Sequence, residues 1–224
     1  MIIAFTLMAF QIVSCGQTGT PETDTTPGND QTQTDTDSKA ETTQPTAPDT
    51  SADDTTAEIP DKETGKSLIV YFSWSTSGNT ERMAETIKEN TGADILRIEP
   101  TVAYPTDYNE CGELAKVERD ENTRPEISNL PESLDEYDTI FVGYPIWWHT
   151  APMIIGTFLE SYDLAGKDIY PFAQSASMDT EQFANSMEFV KESAKGADVH
   201  DGLFVRASDS DAIIDYLSEN DFEK

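Results

Sequence analysis

Beyond residue 66 the sequence alternates short apolar runs with amphipathic stretches, and that alternation leaves few folds open. The first run, Ser67–Ser73 (SLIVYFS), is β-branched and aromatic without a charged interruption, which suits a strand buried on both faces. Residues 78–91 follow with Met83, Ala84 and Ile87 on one helical face. A second strand is predicted over 93–99, then a helix over 107–121 centred on Leu114 and Val117, then an irregular segment to Pro131. The third strand is 138–144 (DTIFVGY), followed by a helix over 152–161. The fourth, 168–172, precedes a helix that turns Phe183, Met187, Val190 and Ala194 inward. A fifth strand over 202–206 and a last helix over 210–218, with Ile213, Tyr216 and Leu217 inward, complete the series. Strands and helices in strict alternation predict an α/β fold: a doubly wound five-stranded parallel sheet in a three-layer sandwich.

The region before this domain is of another kind. From Gly16 to Glu58 there is no Val, Ile, Leu, Met, Phe, Tyr or Trp. Such a stretch cannot bury enough apolar surface to offset a backbone entropy cost of roughly 1–2 kcal/mol per residue. Residues 16–66 therefore read as a disordered Thr/Asp/Pro-rich linker, with an r.m.s. span of about 40 Å as a flexible coil. Met1–Val13 is almost wholly apolar, too short for a membrane-spanning helix but suited to a signal segment. It runs into Ile12-Val13-Ser14-Cys15-Gly16, which resembles a bacterial lipobox, although no Lys or Arg precedes Lys39. The expectation is lipidation at Cys15, an extracytoplasmic location at the cell membrane, and membrane attachment by the lipid anchor only. Cys111 is then the one remaining thiol, expected to be a small half-buried hydrophobe.

Charge narrows the partners. Residues 67–224 carry 31 acids against 11 bases, a net charge of −20 within the domain itself. That argues against nucleic acid or anionic lipid as the main partner and suits a basic protein or a small molecule.

In doubly wound sheets ligands sit at the carboxyl ends of the strands, so three loops matter. After the first strand come Ser75, Thr76, Ser77, Gly78, Asn79 and Thr80, hydroxyl-rich and leading into a helix. Free amides at a helix start, with hydroxyl donors beside them, can hold a phosphate without Lys or Arg. Neither GxxxxGK[ST] nor GxGxxG occurs, which counts against a nucleoside triphosphatase and a dinucleotide site. After the third strand come Pro145, Ile146, Trp147, Trp148 and His149. Adjacent indoles at a strand end place at least one at the rim, where a flat ring can stack on it. After the fourth strand come Gln174, Ser175, Ala176 and Ser177, a polar turn with hydrogen-bonding side chains. No Cys/His cluster has the spacing of a metal site, and His200 falls in a late loop with no assigned role.

S-T-S-G-N-T between the first strand and first helix resembles the phosphate loop of the flavodoxin family. Tyr104-Pro105-Thr106-Asp107-Tyr108 and Arg124-Pro125-Glu126-Ile127 resemble a branch of that family with lipoprotein members. The resemblance implies FMN as cofactor, its phosphate held by Ser75–Thr80. It implies that Trp147 covers one flavin face, with His149 nearby. Ser175 and Ser177, with Gln174, stand where relatives bind the O2 and N3 edge of the flavin, although Ala176 and Ser177 replace glycines there. Trp148 stands where several flavodoxins have a glycine, so a backbone turn needing positive φ is expected to be costly there. The functions implied are electron carriage to a basic redox partner, NAD(P)H-dependent reduction of quinones, or flavin-free binding by a degenerate domain.

Overall fold

The computed structural model describes residues 65–222. The apolar segment ending at Cys15 and the linker up to residue 64 lie outside the described residues. The sheet contains β1 (Lys66–Tyr71), β2 (Asp94–Arg97), β3 (Tyr137–Pro145), β4 (Asp168–Gln174), β5 (Asp198–Val199) and β6 (Leu203–Phe204). Its helices are α1 (Asn79–Thr91), α2 (Tyr108–Asp120), α3 (Met153–Glu160), α4 (Thr180–Ser193) and α5 (Ser210–Glu219). All strand pairs are parallel, in the order β2-β1-β3-β4-β5 with β6 also on β4. This is the expected flavodoxin-like doubly wound order, with its switch point between β1 and β3. The first strand begins one residue before the predicted Ser67, because Lys66 already pairs with Tyr137.

The central strands alternate into two cores. Leu68 and Val70 join Ile140, Val142, Ile154 and Phe158 on one side of the sheet. Ile69 and Tyr71 join Phe141, Met83, Ile87, Ile213 and Leu217 on the other. Each fully buried Ile or Phe contributes about 1.5–3 kcal/mol, so both helix layers are fixed by the pleat of β1 and β3. In α1 the buried positions are Thr80, Met83, Ala84 and Ile87, the spacing of a single helical stripe.

Three expectations need correction. The inward face of α2 is Cys111, Ala115 and Glu118, whereas Leu114 and Val117 are exposed. Hydropathy pointed to the larger apolar residues, but packing against α3 selects the smaller ones. The fifth strand is also not a single run over 202–206. It is two short pieces, Asp198–Val199 opposite Asp168–Ile169 and Leu203–Phe204 opposite Phe172–Ala173. Three residues bulge opposite two, and the break faces Pro171, which brings no N–H to the ladder. Gly202 fills it because a Cβ there would come within 2.7 Å of Met187 Sδ and 3.0 Å of the Pro171 carbonyl. The second strand is shorter than expected as well, ending at Arg97.

Candidate functional site

The loop after β1 is braced from several directions. Arg97 donates from Nη2 to the Ser73 carbonyl at 2.8 Å, and Trp74 Nε1 donates to the Pro105 carbonyl at 2.9 Å. Ser75 and Ser77 join through their hydroxyls at 2.9 Å, and the Gly78 N–H donates to the Ser75 carbonyl at 3.0 Å. Gly78 has φ 60°, a left-handed conformation that a side chain strains. Asp107, Asp179 and Asp209 place a carboxylate over the starts of α2, α4 and α5. Gly78 has no side chain to do this for α1, which leaves the first-turn amides of that helix uncapped by any side chain. An uncapped helix start ringed by hydroxyls is an anion cradle.

Arg82, one turn into α1, had no role in the sequence reading. Its Nη1 donates to the Ser77 carbonyl at 2.9 Å and its Nη2 to Asn79 Oδ1. Asn79 Nδ2 in turn donates to Gln174 Oε1 at 3.4 Å, linking the first loop to the one after β4. Ile146 N–H donates to the Gln174 carbonyl at 3.2 Å, which ties in the loop after β3. The three loops therefore share one polar hub at Gln174.

In the loop after β3, Trp147 and Thr150 exchange N–H···O bonds of 2.9 and 3.0 Å around a two-residue turn. Trp148 and His149 both have positive φ, 46° and 66°, the geometry of a type I′ turn. The costly backbone expected at Trp148 is thus already adopted. Its compensation lies on α2. Trp148 Nε1 donates to the Gly112 carbonyl at 2.6 Å, and Arg119 Nη1 donates to the Trp148 carbonyl at 2.9 Å. The Arg119 guanidinium also sits 5.5 Å from the Trp148 ring. Trp148 is at the rim and Trp147 is half-buried, with its ring edge-on to Phe72 and Tyr104 at 5.4 and 5.2 Å. His149 is exposed.

Between these loops lies a cavity of about 550 Å³ whose walls include Trp74, Ile146, Trp147, Trp148, His149, Ser175, Ala176 and Ser177. Its volume is within the range of small-molecule sites, and its aromatic walls and serine edge fit a flat heteroaromatic ring. Along Gln174–Ser177, Ser175 Oγ accepts from the Met178 N–H at 3.0 Å and lies 3.3 Å from Ser177 Oγ. Met178, not a glycine, takes the positive φ there, 52°. The remaining wall comes from α2, through Tyr108, Cys111 and Gly112, which the sequence reading left out of the site. The Tyr104–Tyr108 segment was the signal for it, since it orients α2 against the cavity. Burial and the nearby Glu118 carboxylate push the Cys111 thiol up to about 11, so it remains a protonated apolar wall rather than a thiolate.

Glu118 is the buried carboxylate beneath that wall, accepting from Tyr104 Oη at 2.8 Å. Burial raises its pKa above the ordinary carboxylate value, and the tyrosine bond only partly opposes this. A carboxyl with a raised folded-state pKa stabilises the fold below its unfolded pKa, and that stability is lost as pH rises through the folded value. Glu118→Gln is therefore expected to melt above the native chain at neutral pH, with the gap closing toward pH 4. Thermal melts across that range check it; a gap that widens on acidification refutes the assignment.

A second cavity, about 510 Å³, opens at the amino ends of the strands and is lined by Asp94, Asp138, Asp168 and Asp221. Four carboxylates there repel a phosphate, so the carboxyl-end cavity is the one suited to an anionic ring ligand.

The sequence profile described as Flavodoxin matches residues 66–220. The chain belongs to the flavodoxin family. Among solved structures, it resembles a candidate flavoprotein from Bacteroides eggerthii at 34% identity, covering 69% of this chain and 97% of that one, with TM-score 0.61. A counterpart from Bacteroides uniformis is 32% identical over 70% and 99% of the two chains, with TM-score 0.62. A flavoprotein from Lactobacillus acidophilus, solved in complex with FMN, shares the fold at 24% identity over 69% and 99%, with TM-score 0.57. No curated protein gives a significant match.

Proposed function

We propose that this flavodoxin-family domain binds FMN and carries electrons at the outer face of the cell membrane, tethered by a lipid on Cys15. The observation that carries the reading is the side-chain-free start of α1 at Gly78, joined through Asn79 and Gln174 to an aromatic cavity of about 550 Å³. In the flavoprotein from Lactobacillus acidophilus that shares this fold, FMN is the bound ligand. FMN, when bound, supplies the redox chemistry, and the protein binds and tunes it. Ser75, Thr76 and Ser77, with the amides of Gly78, Asn79 and Thr80, would hold its phosphate. Trp147 would stack on the ring, and Gln174, Ser175 and Ser177 would read its polar edge. Pro145 and Ile146 set the approach of the tryptophan turn, and Ala176 leaves room beside the ring. No side chain of the site is assigned a proton-transfer or nucleophilic role. The domain's net charge of −20 favours a basic redox partner.

Reduction of a small acceptor such as a quinone is the second reading. It is favoured by the Trp148 indole being pinned to the Gly112 carbonyl on α2, which draws it toward the cavity edge. The visible absorption spectrum of the full chain tests the cofactor: bound FMN colours it yellow, and a colourless protein that ignores added FMN refutes the proposal. NADH- or NADPH-dependent quinone turnover separates reductase from carrier.

Arg82 gives a finer test. Arg82→Met removes the brace on the Ser77 carbonyl and Asn79 while leaving the apolar stem. Losing the two bonds that hold the loop in its phosphate-binding shape predicts roughly tenfold weaker FMN binding, equivalent to about 1.4 kcal/mol. Unchanged affinity in a fluorescence titration removes Arg82 from the site.

A further inference from the structure

The opposite end of the sheet carries a cluster of metal-ligating side-chain types that the flavin site does not use. Asp168 opens β4 and Asp198 opens β5, and the two are register partners on adjacent parallel strands. His200 follows two residues after Asp198, and its N–H donates to the Ile169 carbonyl, which continues the pairing. With a side-chain period of two, Asp198 and His200 share a face of the sheet, beside Asp168. One donor atom from each of Asp168, Asp198 and His200 lies within 4.8 Å of the others. His200 Nε2 is 2.7 Å from Asp168 Oδ1. Two donors on one ion, at bond lengths of about 2.0–2.2 Å, stand about 3–3.5 Å apart, so the three need only small side-chain shifts to share a cation.

The arrangement is preorganised. The His200 ring is stacked flat on Tyr170 at 4.2 Å and 3°, and Tyr170 is buried. That stacking fixes the imidazole and aims Nε2 at the carboxylates. Carboxylates facing each other across a strand pair are destabilising unless a cation lies between them. A divalent ion offers two positive charges to two carboxylates, and an imidazole with two carboxylates suits zinc or manganese. Asp168 and His200 are partly exposed and Asp198 is exposed, so an ion has an entry path and open positions for water.

From Asp168, Asp198 and His200 we infer a divalent-cation site at the amino ends of β4 and β5. It lies about 20 Å along β4 from the flavin cavity. Its effect is structural: it joins β5 to β4 where the ladder has two rungs before the bulge opposite Pro171.

Zinc titration of the EDTA-treated full chain by calorimetry tests this, with manganese as a second probe. One Zn²⁺ per chain is expected at micromolar free ion, together with a higher melting temperature. Asp198→Asn and His200→Asn should each weaken zinc binding at least tenfold and leave FMN affinity unchanged. Asp198→Asn, at an exposed position, decides the matter if His200→Asn melts low without metal. Absence of saturable binding, or binding that Asp198→Asn leaves intact, overturns the site. FMN affinity is read separately, so loss of the flavin reading leaves this test standing.

Discussion

Gly78→Asp is expected to abolish FMN retention while leaving the domain folded. Gly78 has φ 60°, and a Cβ there meets nothing nearer than Glu81 Oε2 at 3.3 Å. Asp is among the residues that tolerate the left-handed region best, so the fold survives at a cost of about 1 kcal/mol. Its carboxylate, however, would stand at the uncapped start of α1, where the phosphate is proposed to bind. It would compete for the same amides and repel the anion. Two unit charges 4 Å apart at an effective dielectric of 20 interact by about 4 kcal/mol, or roughly a thousandfold in affinity. The neighbouring Glu81 adds to the repulsion. Fluorescence titration with FMN, alongside a thermal melt, separates lost binding from lost folding. A folded Gly78→Asp protein that binds FMN as tightly as the native chain would falsify the phosphate-loop assignment.

Gly143→Ala is expected to have the largest effect on stability. Gly143 lies near the carboxyl end of β3, in register with Phe172 of β4. The fully buried Phe172 ring occupies the space a side chain would take; a Cβ at Gly143 would fall 2.1 Å from Phe172 Cζ and 2.4 Å from Cε2. Phe172 cannot retreat, because it is packed in the core formed with Ile69, Met83 and Phe141. Overpacking of this kind costs about 1–3 kcal/mol, which lowers the melting temperature of a domain this size by several degrees. Phe172→Leu in the same chain should recover part of the loss, and an unchanged melt for Gly143→Ala refutes the contact. Because β3 leads directly into the Trp147–Thr150 turn, a shift here should weaken FMN binding too.

Much of this was legible in the residue pattern. The SLIVYFS and DTIFVGY runs are continuous because their strands are covered on both faces, so consecutive residues of β1 and β3 are buried. The stripe Met83, Ala84, Ile87 is helical by spacing alone. The three loops were found because chain order and the parallel sheet place them at one end. Where the reading failed, the deciding contact came from residues distant in sequence. Leu114 and Val117 face outward because the face of α2 turned to the core is Cys111, Ala115 and Glu118. Strand five breaks because Pro171, on another strand, lacks an N–H.

The S-T-S-G-N-T loop shows the division most clearly. Its residue types and its place between an apolar run and an amphipathic one determined that an anion cradle could form there, since both are local properties of the backbone. Only the tertiary structure supplied Arg82 to brace it and Gln174 to join it to the tryptophan turn. It likewise paired Trp148 with the Gly112 carbonyl and Arg119, which hold two positive-φ residues in a turn that local preference disfavours. Asp168, Asp198 and His200 meet for the same reason: strand register brings together groups that chain order keeps about thirty residues apart. Local spacing encodes which elements form, whereas long-range packing decides which side chains those elements bring within reach of one another.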